Sequence, residues 1–591
     1  MKKIFQIIPV AFLALGLVSC DIDDVKNMTE QSTENFPVDE DDAVAALAGI
    51  YENLNAVNAY PQESFLYLSF LASDDQLGGG GTNDKLMQAM DLMCNYGTNM
   101  TNDFFNARYQ GIMRANTLIQ ALPNTDLSDD DKNNYMGQAL FFRAFYHYEL
   151  ASMYGNVPLM TEPSSETQTQ GDVTVLWGQI LQDMKNACDL LPAQNNHNNG
   201  YIDKYCAEGM LARMWLFYTG FYCNGTTIAD LTSETYNPLT EVALPDGTTL
   251  TKQDVINYID DCVNNSGYSL VPDYRELWAY TNKYTVEDYS YTAGQNLTWC
   301  QNDEDGQTNE DDVENMFAIK FNKLADWSTT IGYANGYALH LGIRGGQDLA
   351  NTFPFGQGWG AGPVAPNLVD DWNSADPNGQ DIRREASIQT LSELPAYTKG
   401  GWADFVQETD YYEKKLSPIS AKKTDGSGYY ICFENLMYGT DGWTQGADNM
   451  QLNNIHDLVL LRFADVLLMQ SELKEDVTGI NRVRARAGLD PISTYSLSAL
   501  QNERRWELAF EGTRWNDIRR WHIAATALER QTNQPVYYCG NSARNTAHNG
   551  GYSARYKATA GFQKMPDDAV SIGSVVQNEG WGTSGSEYTG W

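Results

Sequence analysis

Glu503-Arg504-Arg505-Trp506-Glu507-Leu508-Ala509-Phe510-Glu511-Gly512, running on into Thr513-Arg514-Trp515-Asn516-Asp517-Ile518-Arg519-Arg520-Trp521, is the stretch whose reading decides the fold of this chain. Glu503, Arg504, Arg505, Glu507 and Glu511 are expected on one helix, set among bulky apolar residues. Such a helix takes its charges into the interior, and a buried charge has to be paired. Arg514 and Arg519 are the expected partners of these glutamates. The pattern reads as a structural network bracing a stack of helices, not as catalytic machinery.

Helical signals continue on both sides of this stretch. Ser498-Ala499-Leu500-Gln501 has the form of a capping box that opens the Glu503 helix. Further upstream, Asp457 to Leu473 is apolar nearly all round, which predicts a helix buried on most sides. In the N-terminal third, Asp39 to Asp42 place acidic residues where a helix starts, and a helix is expected from there to Leu54. Further helices are expected over Arg108–Leu122, from Ser128 to Gly155, and over Val173–Leu191 and Lys204–Phe221. In the Ser128 helix, Tyr135, Ala139, Phe142, Tyr146, Leu150 and Met153 fall on one face, and Gly155 followed by Pro158 stops it. Consecutive helix pairs of this size resemble tetratricopeptide repeats, without a strict repeat consensus. One helix face cannot bury itself, so stacked neighbours have to supply the core.

Between about Thr226 and Leu452 the composition shifts toward Gly, Asn, Asp and aromatics, with one amphipathic run near Lys252–Asn264. Loops of this length in a compact protein usually carry function. The fold class read from these signals is mainly α, a tetratricopeptide-like helix-pair scaffold with a long irregular, loop-rich insertion. The organisation expected is a signal peptide at 1–19, a lipidated N-terminus and linker at 20–38, and a helical repeat scaffold at 39–225. A loop-rich ligand-binding region at 226–452 and a C-terminal helical region at 453–591 that completes the scaffold follow.

Several segments, in the right order, carry a specific resemblance. They are Phe142-Arg143-Ala144-Phe145-Tyr146 with Tyr154-Gly155-Asn156-Val157-Pro158-Leu159, the run Leu461 to Glu472, Asn481 to Leu489, the Glu503–Trp521 stretch, and Gln577-Asn578-Glu579-Gly580-Trp581. Together they resemble the motifs of the SusD/RagB family and bracket nearly the whole chain. The resemblance implies a SusD-like helical platform whose binding face is built from the loop after the first helix and from the irregular middle. It also implies a role as cell-surface lid on a SusC-like TonB-dependent outer-membrane transporter, feeding it glycans or, in a minority of relatives, peptides.

The chain's start agrees with that picture. Lys2 and Lys3 precede an apolar stretch from Ile4 to Val18, shorter than the ~20 apolar residues of a spanning helix, so it reads as a signal sequence. Leu17-Val18-Ser19-Cys20 resembles a lipobox with Cys20 as the lipidated residue, which anchors the chain to the membrane without spanning it. Asp21, Asp23 and Asp24 resemble an export signal to the outer face. The expected location is the outer membrane, lipid-anchored and facing the exterior. Net charge is −38, from 39 basic and 77 acidic residues, which repels nucleic acid and favours an uncharged partner. The nine cysteines show no CxxC and no zinc-type spacing, and the internal ones are expected as buried free thiols.

The first loop, Ser73-Asp74-Asp75-Gln76-Leu77-Gly78-Gly79-Gly80-Gly81-Thr82-Asn83-Asp84, holds four glycines, which permit a mobile or tightly turned backbone. Asp75, Asn83 and Asp84 are its candidate hydroxyl-binding residues. Trp299, Trp327, Tyr333, Tyr337, Trp359 and Trp402 stand near glycines and amides, and exposed rings there would stack on sugar faces. Trp299, Trp327 and Tyr333 are the chosen candidates, with Arg383 added; the Tyr411–Tyr412 pair was weighed beside it. Residues 301–312 are spaced like a calcium loop but begin with Gln301 and end with Asp312 rather than Asp and Glu, so a solvated acidic loop is the expected form. Gly356 to Ala361 matches a dinucleotide fingerprint without a strand before it or a helix after it, and is rejected. No HExxH or GxSxG occurs, and no metal, cofactor or catalytic residue is expected. The competing readings are a peptide binder on the same fold, a glycoside hydrolase using two carboxylates, and a protein-interaction scaffold.

Overall fold

The computed structural model describes residue 37 and residues 39–55, 61–195, 200–288, 291–301, 312–321, 335–431 and 454–591, apart from positions 346–347, 395, 402, 424, 455 and 547. The expected signal sequence, Cys20 and the linker to residue 36 lie outside the described residues, as do Trp327, Tyr333 and Trp402.

The N-terminal half is a run of helices: α1 (Glu40–Asn55), α2 (Phe65–Leu71), α3 (Lys85–Asp91), α4 (Asn102–Ala121), α5 (Asp129–Tyr154), α6 (Val173–Leu190), α7 (Lys204–Phe221), the single turn α8 (Ile228–Leu231) and α9 (Lys252–Asn265). Local chemistry sets most of their starts. Ser128 accepts from the Asp131 amide at the head of α5, Asp172 from Thr174 at α6, and Asp203 from Cys206 at α7. Gly155, at φ +79°, ends α5 where a side chain would be strained. Short α2 and α3 carry no long periodic signal and were not expected from the sequence.

α1 packs on α4, α4 on α5, α5 on α6, α6 on α7 and α7 on α9, the helix-pair stacking of a tetratricopeptide-like scaffold. Charges tie successive pairs together. Arg108 of α4 donates to Glu149 of α5 at 2.6 Å, and Arg143 of α5 grips Asp183 of α6 through two bonds of 2.7 Å. All four side chains are buried, so each bond is also the condition for burying its charge.

The C-terminal part closes on this stack. The expected Asp457–Leu473 helix is shorter than its apolar run. Leu458–Arg462 forms a strand antiparallel to Asn315–Ile319, and the helix spans Phe463–Lys474, packed on α9. A continuous apolar run suits a buried strand as well as a buried helix, and the pairing partner 140 residues upstream decides between them. The next helices are Thr478–Arg486, Leu497–Glu507 and Arg514–Arg520. Ser496, not Ser498, caps the Leu497 helix, accepting from Ala499, and Glu511 lies beyond its end.

The charge network is as buried as expected, but its partners differ. Glu507 meets Arg462 at 2.6 Å, Arg383 at 3.0 Å and Arg486; Glu511 meets Arg462 and Lys415, each at 2.6 Å. Arg514 instead grips Asp74, and Arg519 sits among Phe217, Phe221, Trp515 and Phe562 while donating to the Ser152 carbonyl. Arg514 and Arg519 lie on a separate helix, facing other parts of the chain, so they do not reach the glutamates.

The described residues of the irregular middle share their core with the helices. Trp278, Tyr280, Phe317, Phe355, Phe405 and Tyr412 join the same continuous hydrophobic core as the N- and C-terminal helices. Among the described residues, every sheet has two strands. Seven described cysteines carry free thiols, five of them buried.

Candidate functional site

The glycine-rich loop is tightly turned and paired on both sides. Residues 76–81 lie buried between two other segments, bridging to Val364 and Ala361 on one side and to Phe405 on the other. Leu77 donates to the Pro363 carbonyl, Gly80 to Gly360 and Val406 to Gly80, each at 2.9 Å. Side chains complete the clamp. Gln88 of α3 donates to the Gly79 and Gly81 carbonyls, while Gln407 and Asp91 accept from the Gly79 and Gly78 amides. The glycines are there for close approach. A Cβ on Gly79, whose φ is +67°, would lie 2.3 Å from the Gly360 oxygen.

This segment delivers Thr82, Asn83 and Asp84 to the surface, with Thr82 and Asn83 exposed and Asp84 half-buried. Arg344 organises the mouth around them. Its guanidinium bonds Asp404 and the Trp359 carbonyl at 3.0 Å, and approaches Asp84 at 3.8 Å. Asp84 also accepts from the Gly81 amide at 2.6 Å. The half-buried Trp359 packs on His340, ring centres 4.4 Å apart, and His340 packs edge-on against Tyr67. Burial lowers His340 to about 3, so this support is a neutral ring. The mouth thus offers carboxylate acceptors held by one guanidinium, an amide, a hydroxyl and an indole on a rigid floor. That set matches the hydroxyls and apolar faces of a sugar.

Asn83 and Asp84 stand at this mouth. Three other expected ligand residues do not reach solvent and are corrected to structural roles. Asp75 is buried against Arg505 at 2.7 Å, beside the Asp74–Arg514 pair. Arg383 is fully buried among Asp381, Glu503 and Glu507. Trp299 is 2 % exposed and belongs to the core. In each case side-chain type suited a ligand, but neighbours distant in sequence claimed the residue. Tyr337 and Tyr412 are likewise interior, bonding Ser64 and the Gly360 carbonyl. Arg344 and Asp404 were not singled out from the sequence, and no local motif marks them. Of the acidic 301–312 loop, Gln301 and Asp312 are described, buried and joined at 3.3 Å. Among the described residues, no group of three or more His, Cys, Asp or Glu side chains is placed to hold a metal ion, and no helix is long and apolar enough to cross a membrane.

A helix-repeat scaffold that presents an irregular loop face with a rigid polar–aromatic mouth defines the class to which this molecule belongs. The family model described as "SusD family" matches residues 256–581, more than half the chain, and a second, described as "Starch-binding associating with outer membrane", matches residues 23–216. The chain belongs to the SusD/RagB family. It is 24% identical over 532 residues to SusD-like protein P2 of Formosa agariphila, covering 86% of this chain and 89% of that protein. A SusD-like protein of Bacteroides ovatus is 22% identical over 437 residues, 70% of this chain and 64% of that one. Among solved structures, a laminarin-binding SusD-like protein superposes with a TM-score of 0.65 at 24% identity, over 92% of this chain and 100% of the other. Surface glycan-binding protein A from Bacteroides thetaiotaomicron, in complex with laminarihexaose, gives 0.64 at 19% identity, over 91% and 99%.

Proposed function

We propose that this protein binds an oligosaccharide at the cell surface, without transforming it, and passes it to a SusC-like TonB-dependent transporter. The observation that carries this reading is the mouth, where Asp84, Arg344, Asp404 and the Trp359 carbonyl meet beside exposed Asn83 at the end of a segment held on both sides by backbone pairing. A floor held by backbone bonds orders little on binding, which lowers the entropic cost of gripping a flexible chain. The surrounding charge of −38 favours a neutral glycan over a uronate or sulfated one. Solved relatives named for laminarin and laminarihexaose binding support a glycan as cargo. Lipidation at Cys20 holds the molecule at the outer membrane facing outward, beside the barrel it serves.

Affinity electrophoresis tests the cargo, with laminarin, starch, xylan, galactomannan, arabinan and levan in the gel and alginate and pectin as anionic controls. The expected result is retardation by a neutral polysaccharide that Asn83→Ala and Trp359→Ala both relieve. Retardation by none of them, with a peptide pool bound instead, refutes the glycan reading. Detergent extraction tests the partner: a large barrel protein should co-purify with the full-length chain, and its absence counts against delivery.

A further inference from the structure

A second cleft, with a volume of about 470 Å³, opens beyond the far end of the segment that walls the mouth. Its lining includes Asp370, Lys399, Asp410, Tyr411, Tyr537 and Arg544. The segment 404–411 connects the two places. Asp404 stands at the mouth on Arg344, Phe405 bridges to Gly81, Glu408 bridges to Tyr537, and Asp410 and Tyr411 reach the cleft. Asp410 lies six positions after Asp404, so the two carboxylates' Cα atoms are at most about 20 Å apart.

The cleft pairs charges beside aromatic rings. Within a chain of net charge −38, two cations, Lys399 and Arg544, face two carboxylates, Asp370 and Asp410. Lys399 bonds Asp410 and lies 5.3 Å from the Tyr537 ring centre. Arg544 donates to the Asn533 carbonyl at 3.2 Å and is exposed. The rings of Tyr411 and Tyr537 are both half-buried. The edges are fixed by main-chain pairing, since Tyr411–Glu413 pairs with Ile388–Thr390 and Pro535–Tyr538 with Asn541–Arg544. A charge-balanced set of donors and acceptors beside two phenol rings suits an uncharged polyhydroxylated chain. It disfavours an anion, which would meet Asp370 and Asp410, and an apolar ligand, which would strand the charges.

We propose that the cleft formed by Asp370, Lys399, Asp410, Tyr411, Tyr537 and Arg544 is a second subsite for the same neutral glycan chain that occupies the mouth. This rests on the glycan reading above. A short oligomer fills one place; a longer one spans both, and its second contact becomes intramolecular. The consequence is selection by length, so that polymer fragments are held in preference to the short products of their breakdown.

Isothermal titration of the full mature chain tests this with laminarin, laminarihexaose and laminaribiose, or the equivalent size series of whichever polysaccharide in the panel above retards the protein. Tyr537→Ala, and separately the exposed Arg544→Ala and the cleft-filling Ser542→Trp, should each weaken polymer binding about tenfold or more while leaving the shortest bound oligomer unchanged. The two surface variants keep the test valid if Tyr537→Ala fails to fold. Polymer affinity unchanged in Arg544→Ala and Ser542→Trp, with the length dependence intact, overturns the subsite and leaves the mouth standing. No binding of any glycan by the unaltered protein overturns both.

Discussion

Glu507→Gln removes one charge from the heart of a buried ionic cluster. Arg383, Lys415, Arg462, Arg484 and Arg486 face Glu314, Asp381, Glu503, Glu507 and Glu511, five cations against five carboxylates. Burial alone would push the Glu507 carboxyl up, yet Arg486, Arg462 and Arg383 overcome it and hold the group far below the ordinary carboxylate range. The glutamine keeps the shape and one acceptor but leaves three guanidinium groups sharing a neutral amide. Breaking a buried pair in this way costs about 3–5 kcal/mol. The assay is urea unfolding followed by tryptophan fluorescence at pH 7, with the shift in midpoint multiplied by an unchanged slope. Glu475→Gln, at the exposed Lys252–Glu475 pair, is the control and should cost less than about 1 kcal/mol. Adding Arg486→Met to Glu507→Gln should recover part of the loss, because it takes one cation from a cluster left with an excess of positive charge. A Glu507→Gln protein no less stable than the Glu475→Gln control would refute the reasoning that these charges brace the fold.

Other expectations follow from the same geometry. Burial raises Asp91 to about 7, despite bonds from Gln407, Gly78 and Tyr552. A carboxyl raised in the folded state stabilises below its unfolded value and loses that contribution as pH climbs through about 7, so Asp91→Asn should flatten the stability profile between about pH 4 and 7 by roughly one proton; an unchanged slope there would count against it. Gly79→Ala should loosen the loop and weaken glycan retardation, since its Cβ has no room beside Gly360, and wild-type retardation with wild-type stability would show that the close approach is unimportant. Trp299→Ala should destabilise by about 3–5 kcal/mol through the cavity it leaves, and any folded fraction should keep its ligand affinity; a stable variant with lost binding would restore Trp299 to the site. Cys20→Ser should release the protein from the membrane fraction on cell lysis, and retention there would argue against the lipid anchor.

What the sequence determined by itself was the helical scaffold, because helix signals are local. Ser128, Asp172 and Asp203 cap within three residues, Gly155 stops within one, and Tyr135, Ala139, Phe142, Tyr146, Leu150 and Met153 of α5 recur every three or four positions. It also showed that the Glu503–Trp521 charges would be buried and paired. Tertiary structure alone decided with whom. Glu507 found Arg383 at a separation of 124 residues and Arg462 at 45, while Arg505 took Asp75 from 430 residues away and removed it from the list of ligand groups. The mouth was half legible for the same reason. Asn83 and Asp84 stand on a conspicuous glycine run, whereas Arg344 and Asp404 join them only because the chain returns twice to pair with that run. Whether a given aromatic or charged side chain meets water or the core depends on which distant segment lies over it, and nothing within a few residues of Trp299 carries that information.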